Sequence, residues 1–181
     1  MKKILIPSLA TSSIIIALIF ATVSFAQPYS KGSYNADVPY GDLTSLSITT
    51  SGNVNVKVLP SSEGTLASGN DVVTVTSTDV MGYKLYIRAI NSTSLNNQGI
   101  YLPTSANITP SSLTTNTWGY NTDASNNFVG ISLNDTLIRS ITTPASTGSI
   151  TNVTYGIKID LSKPAGNYSA TVVYTAVPQT D

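Results

Sequence analysis

The side chains that could do chemistry in this chain are almost all hydroxyls and amides. After residue 26 the sequence contains 21 serines, 23 threonines and 15 asparagines, whereas the whole chain has no histidine and no cysteine. Histidine is the commonest general base and metal ligand, and a serine nucleophile usually depends on it. Serine–lysine chemistry stays formally open, but Ser162 and Lys163 are sequence neighbours, whose side chains point to opposite faces of a strand. We therefore expect a protein that is not an enzyme and holds no cofactor.

The only tryptophan lies in a polar segment that contains a glycine, residues 114–123 (TTNTWGYNTD). We predict that this segment is a loop. Exposed aromatic rings on a rigid scaffold can stack on sugar rings or anchor a protein interface. The alternative is a tryptophan that folds back over the end of the domain. The predicted ligand or partner contacts are Trp118, Tyr120, Asn121, Asp123 and Asn127.

The same segment offers oxygen atoms at alternate positions, as the first half of a calcium loop does. However, no glycine lies between Ser125 and Asn127, and no acidic residue follows closely to complete a coordination shell. Asparagine and aspartate are also common in turns for reasons of backbone hydrogen bonding. We therefore predict no metal site.

Short alternating segments predict the β-strands that must position these residues. They cover residues 43–50, 54–58, 72–77, 83–90, 137–141, 153–161 and 168–177. The sequence Ser51-Gly52-Asn53 predicts a hairpin turn, and residues 60–70 predict a loop. No apolar period of 3.6 residues extends over ten or more residues after residue 26. The pattern predicts an all-β fold, a single antiparallel Greek-key, immunoglobulin-like β-sandwich, with Tyr83, Tyr155 and Tyr174 in its core.

The first 26 residues have the layout of a secretory signal peptide. Lys2 and Lys3 precede an apolar run at residues 14–21, and small residues precede the Ala26–Gln27 bond. An uncleaved anchor is the alternative, because residues 4–26 are long enough to span a bilayer. We predict a secreted or cell-surface protein with a signal peptide (1–26), an extended lead-in or linker (27–41), a β-sandwich (42–178) and a tail (179–181).

Charge is scarce and balanced. The chain has nine basic and nine acidic residues, and charged residues make up 10% of it. Such a surface has neither the basic footprint of a nucleic-acid-binding protein nor a polybasic patch for anionic lipid. We expect no nucleic-acid partner, and no membrane contact after the signal peptide is cleaved.

Two aromatic motifs resemble WxL cell-surface domains, with tyrosine in place of tryptophan. Gly82-Tyr83-Lys84-Leu85 resembles the strand that carries the Trp-x-Leu signature. Pro164-x-Gly166-x-Tyr168, leading to Tyr174, resembles the C-terminal hairpin and strand of that family. These domains are all-β modules that attach non-covalently to peptidoglycan. The resemblance implies a β-sandwich at the cell surface.

The order of the aromatic motifs is also similar to that of small exported β-sandwich surface proteins of candidate-phylum bacteria. In this order Trp118-Gly119-Tyr120 follows the Gly-Tyr-x-Leu strand, Tyr155-Gly156 comes next, and a Tyr-Thr-Ala-Val strand begins at Tyr174. This resemblance again implies an exported β-sandwich and does not identify a ligand.

We expect a secreted, non-catalytic structural or adhesive protein that binds cell-wall glycan, a surface protein or copies of itself. One alternative is a carbohydrate-binding module that uses Trp118 and Tyr120. Another is a fibre subunit whose residues 27–41 complete a neighbour's sheet by β-strand addition. Against strand addition, Pro28 and Pro39 cannot donate to a hydrogen-bond ladder, and the apolar alternation of the segment is poor. A plain linker is therefore the preferred interpretation of residues 27–41.

Overall fold

In the part of the chain that the structure describes, nine strands form two packed antiparallel sheets and one small hairpin. The computed structural model describes residues 45–78 and 80–179. The first sheet has the order β1-β2-β8-β6 and consists of β1 (Ser45–Thr50), β2 (Thr65–Thr78), β8 (Ser149–Ile159) and β6 (Thr117–Asn121). The second sheet has the order β7-β3-β9 and consists of β7 (Thr136–Ile141), β3 (Gly82–Ala89) and β9 (Val172–Gln179). The hairpin pairs β4 (Leu95–Asn97) with β5 (Ile100–Leu102).

This architecture confirms the predicted all-β sandwich. The order of the first sheet matches the A-B-E-D order of immunoglobulin-like domains, in which consecutive strands are distributed between two sheets. Within the described residues, no helix is long and apolar enough to cross a membrane. The predicted signal peptide and lead-in, and residues 180–181 of the predicted tail, lie outside the described residues.

Alternation along β3 builds the centre of the core. Tyr83, Leu85, Ile87 and Ala89 are all 0% exposed, and they face the buried valines of the opposite sheet, such as Val73. Successive strand residues point to opposite faces, so one strand supplies a continuous apolar surface to the sandwich interior. Burial of each large side chain contributes about 1.5–3 kcal/mol. The core therefore lies between the two sheets, as the alternation predicts.

A second packing contact lies on the outer face of the first sheet. Phe128 is 0% exposed, and its backbone N–H donates to the carbonyl of Ser111 at 2.7 Å. Its ring covers Gly156 so closely that a Cβ atom there would lie 2.4 Å from two ring carbons. Glycine is required at this position because the aromatic ring packs directly on the strand backbone.

Three predictions for residues 51–70 are wrong. Residues 60–70 are not a loop throughout, because β2 begins at Thr65 and pairs with β8 from there. Residues 54–58 do not form a strand, although their side chains keep a period of two. The predicted hairpin at Ser51-Gly52-Asn53 is absent as well. Instead, the chain leaves the edge of the first sheet after Thr50 and crosses toward the inner face.

The contact between Phe128 and Gly156 gives a stability prediction. Replacement Gly156→Ala should lower the free energy of unfolding by about 1–3 kcal/mol, because the added methyl group overpacks the ring. Chemical denaturation monitored by circular dichroism would measure the change. Ser68→Ala is the matched control, since Ser68 pairs with Gly156 and is exposed. Its effect should stay within about 0.5 kcal/mol. Equal free energies of unfolding for the two variants would contradict the close contact between Phe128 and Gly156.

Candidate functional site

The predicted aromatic contacts are buried. Trp118 and Tyr120 are each 3% exposed and lie in β6, and Asn121 is 5% exposed at the end of that strand. The loop placement is therefore wrong for these three residues. The indole Nε1–H of Trp118 donates to the carbonyl of Thr93 at 2.9 Å. Its ring centroid lies 6.3 Å from that of Tyr155 on the adjacent strand. Trp118 and Tyr120 alternate about Gly119, which is the pattern of a strand. The polar residues on both sides made the segment resemble a loop.

The loop after β6 is braced by its own side chains. The Nδ2 group of Asn121 donates to the carbonyls of Ser125 and Asn127 at 2.8 and 2.9 Å. The Ser125 N–H donates to Oδ1 of Asp123 at 3.1 Å, and this hydrogen bond lowers the pKa of Asp123. Asp123 and Asn127 are exposed, so their contact role stays a prediction. Within the described ranges, no three His, Cys, Asp or Glu residues are grouped as metal ligands.

A large groove opens between the sheets beside β9, with a volume of about 1140 Å³. Its floor is the inner face of β8, including Tyr155 and Ile157. One wall is the start of β9, with Val172 and Tyr174, and the other wall is the segment at residues 54–58. No strand of the described residues covers this side of the sandwich interior, so the groove is open there.

The β9 wall presents an unpaired backbone edge. Among the described residues β9 pairs only with β3. The carbonyls of Thr171 and Gln179 accept hydrogen bonds from Ile90 and Met81 of the β3 side at 3.0 and 2.9 Å. Along a strand of an antiparallel pair, the N–H and C=O groups of successive residues point alternately toward and away from the partner strand. The N–H and C=O groups of the odd-numbered residues of this segment therefore point toward β3. The N–H and C=O groups of the even-numbered residues consequently point away from β3, and those of Val172 and Tyr174 face the groove. The strand β9 also contacts β1.

Pro178 fits the same geometry. It is an even-numbered residue of β9, so the N–H group that proline lacks would have pointed away from β3. Proline within a sheet is confined to such edge positions. Its presence agrees with β9 being an edge strand.

The opposite wall is extended but unpaired. Val54, Val56 and Val58 are half-buried and alternate with exposed residues. Across the described parts of the chain, residues 53–60 have no hydrogen-bond partner. Counting only the described residues, both walls therefore carry backbone groups without a hydrogen-bond partner.

Gly69 lets the unpaired wall approach the inner face of β2. A Cβ atom at Gly69 would lie 2.8 Å from Cγ1 of Val54 and 3.0 Å from Cγ2 of Val56. Any side chain at this position would therefore push residues 54–58 outward. The valines instead lie directly on the sheet, where a strand of the second sheet would pack.

Ser51 and Asp71 fix the point at which this wall begins. Oδ1 of Asp71 accepts hydrogen bonds from the N–H and the hydroxyl of Ser51 at 3.0 and 2.7 Å. The Ser51 hydroxyl oxygen also accepts from the Val72 N–H at 3.0 Å. Asp71 is 4% exposed, and a buried carboxylate needs such donors. These contacts end the β1–β2 ladder and direct the chain into the groove wall.

Two tyrosines join the sheets inside the groove. The hydroxyl oxygens of Tyr155 on β8 and Tyr174 on β9 lie 2.6 Å apart. Burial is the main cause that raises the pKa of both phenols well above their usual value of 10.0. The nearby charge of Asp71 raises both pKa values further. Both phenols are therefore neutral hydrogen-bonding groups at physiological pH.

Comparison of the chain with protein-family models, with curated proteins and with solved structures gives no match. The site is therefore assigned from its own geometry.

The tyrosine pair predicts how stability depends on pH. Because the folded state raises both pKa values, the folded state holds protons that the unfolded state releases, and stability should fall as pH rises above 10.0. Thermal melts at increasing alkaline pH should show a steeper loss for the unmodified chain than for Tyr155→Phe/Tyr174→Phe, which removes both hydroxyls. A phenolate absorbance titration should find two more groups that ionise only on unfolding in the unmodified chain than in the double variant. An equal loss of melting temperature with rising pH in the two proteins would contradict the raised pKa values of the tyrosine pair.

Proposed function

We propose that this protein is a secreted, non-catalytic structural or adhesive protein of the cell surface or extracellular matrix. Its contact site is the groove beside β9, which captures an extended polypeptide by β-strand addition. The observation that carries this proposal is the unpaired edge of β9 next to an open apolar floor. Such an edge is a template for a further strand.

The chemistry of the groove suits a polypeptide in the extended conformation. The outward N–H and C=O groups of Val172 and Tyr174 would form the ladder. Alternate side chains of the added strand would then point toward Tyr155 and Ile157 on the floor. Main-chain hydrogen bonds provide affinity in this mode of recognition, and the side-chain pockets provide selectivity.

A carbohydrate-binding function has less support. It depends on exposed aromatic rings, whereas the rings of Trp118 and Tyr120 are buried. Tyr101 is exposed, at 55%, but lies on the separate hairpin strand β5. One isolated ring gives a weak platform for sugar stacking compared with a continuous strand edge.

The polar groups at the groove support a structural role. Asp71 accepts two hydrogen bonds from Ser51, and the raised pKa values keep Tyr155 and Tyr174 protonated at neutral pH. In this role the cluster holds the two sheets and the groove wall in place.

Capture of a generic extended peptide tests this function. The probe is a fluorescent peptide of sequence Lys-(Thr-Val)4-Lys, and fluorescence anisotropy measures its binding to the chain that begins at Gln27. Val172→Pro should weaken binding at least about fivefold, because it removes one outward N–H donor, which is worth about 1 kcal/mol. Val172→Thr keeps that donor and the size of the side chain, and should bind as the unmodified chain does.

A second probe controls for hydrophobic adsorption. The same peptide with N-methyl groups on alternate residues keeps its side chains but loses half of its ladder donors. It should not bind. Equal binding of the two peptides, or equal affinities of Val172→Pro and Val172→Thr when circular dichroism shows both to be folded, would contradict strand capture.

A further inference from the structure

We propose that the strand captured by the groove is residues 29–38 of a second copy of this chain, so that the protein assembles head to tail. This inference rests on the proposed strand capture and names its partner. The groove lies on one copy, and the inserted segment precedes β1 of the next copy. One end of each subunit would then complete the sheet of its neighbour.

The sequence between Pro28 and Pro39 has the features of an inserted strand. None of residues 29–38 is proline, so each can donate an N–H to a ladder. Ten extended residues span about 33 Å, compared with about 27 Å for the eight residues of β9. The segment is therefore long enough to cover the part of β9 that lines the groove.

Its side chains alternate in the required way, although the alternation over all of residues 27–41 is weak. One face of residues 31–38 would carry small and apolar side chains, and the other face would carry polar ones. The first set is Gly32, Tyr34, Ala36 and Val38; the second is Lys31, Ser33, Asn35 and Asp37. The first set suits the apolar floor, while the second set would remain in water.

Insertion at this place would satisfy both unpaired walls. The free edge of β9 would pair with one side of the inserted strand, and the backbone of residues 54–58 is available to the other side. The second sheet would then gain the inserted strand after β9. A buried backbone group without a partner costs free energy comparable to a lost hydrogen bond. Insertion of one strand would therefore provide hydrogen-bond partners for the backbone groups of both walls.

The position of β1 favours a second copy over self-insertion. Ser45, the first residue of β1, pairs with Thr78, whereas the valines of the groove wall contact Gly69 of the same strand β2. Nine residues of a strand separate these points, which corresponds to about 30 Å. The seven residue steps from Val38 to Ser45 span at most about 25 Å, which is less than this separation. An inserted strand whose C-terminal end lies beside Gly69 therefore cannot come from the same copy, whereas a neighbouring copy can supply it.

The contact is heterologous, because different surfaces of the two copies meet. A heterologous contact whose rotation does not close a ring produces an open-ended chain of subunits. The proposed contact therefore predicts oligomers whose population increases with protein concentration.

Paired substitutions in the inserted segment test the assembly. In the chain that begins at Gln27, Ala36→Asp places a charge on the face that would meet the groove floor, and Asn35→Asp places the same charge on the outer face. Size-exclusion chromatography with light scattering should show concentration-dependent oligomers for the unmodified chain and for Asn35→Asp. Ala36→Asp should shift assembly to at least tenfold higher protein concentration. Equal behaviour of the two variants would overturn the inference.

Deletion of residues 27–41 separates the possible partners. All core residues that the structure describes lie outside the deleted segment, and circular dichroism of the variant checks that it is folded. The deletion variant should be monomeric, and a synthetic peptide of residues 27–41 should bind it and raise its melting temperature. If the undeleted chain is instead a monomer that melts at a higher temperature than the deletion variant, the segment inserts into its own groove and assembly by exchange is overturned.

The alternating threonine–valine peptide distinguishes failure of this inference from failure of the proposed function. If the deletion variant binds that peptide but not the peptide of residues 27–41, strand capture stands and the partner is a different polypeptide. If it binds neither peptide, both proposals fail.

Discussion

A β-strand that packs one face into a core but has one unpaired backbone edge presents an adhesive surface to any extended chain. In this protein that strand is β9. Its inner side chains, including Tyr174 and Ala176, pack against the core, while the outward backbone groups of the same residues have no described partner. The groove, the unpaired segment at residues 54–58 and the proposed mode of binding all follow from this one edge.

The local interactions around the edge keep it open. Asp71 binds Ser51 and ends the β1–β2 ladder, so the following residues cross to the inner face without reaching β9. Gly69 gives the valines of that segment room to lie on the sheet. The hydroxyl contact between Tyr155 and Tyr174 holds the floor and the β9 wall together. The groove is thus a built feature of the sandwich, supported by hydrogen bonds on both sides.

Much of the core could be predicted from the sequence, because burial follows a period of two wherever a strand is apolar on one face. Tyr83, Leu85 and Ile87 show this directly. The groove could not be predicted, because alternation reports which face is buried and not which strands pair. Residues 54–58 alternate correctly and yet form no ladder. The start of β2 was missed because Gly69 and Asn70 are typical turn residues. Trp118 was assigned to a loop because its local sequence is polar, although tertiary pairing with Ile157 places it in a strand.

Amide hydrogen exchange in β9 tests the unpaired edge most directly. In the variant that lacks residues 27–41, the outward amides of Val172, Tyr174 and Ala176 should exchange much faster than those of Val173, Thr175 and Val177, which face β3. Addition of a strand-forming peptide should slow the outward amides and leave the others unchanged. Slow exchange at all six amides without peptide would mean that β9 is already paired on both sides, and would contradict the account.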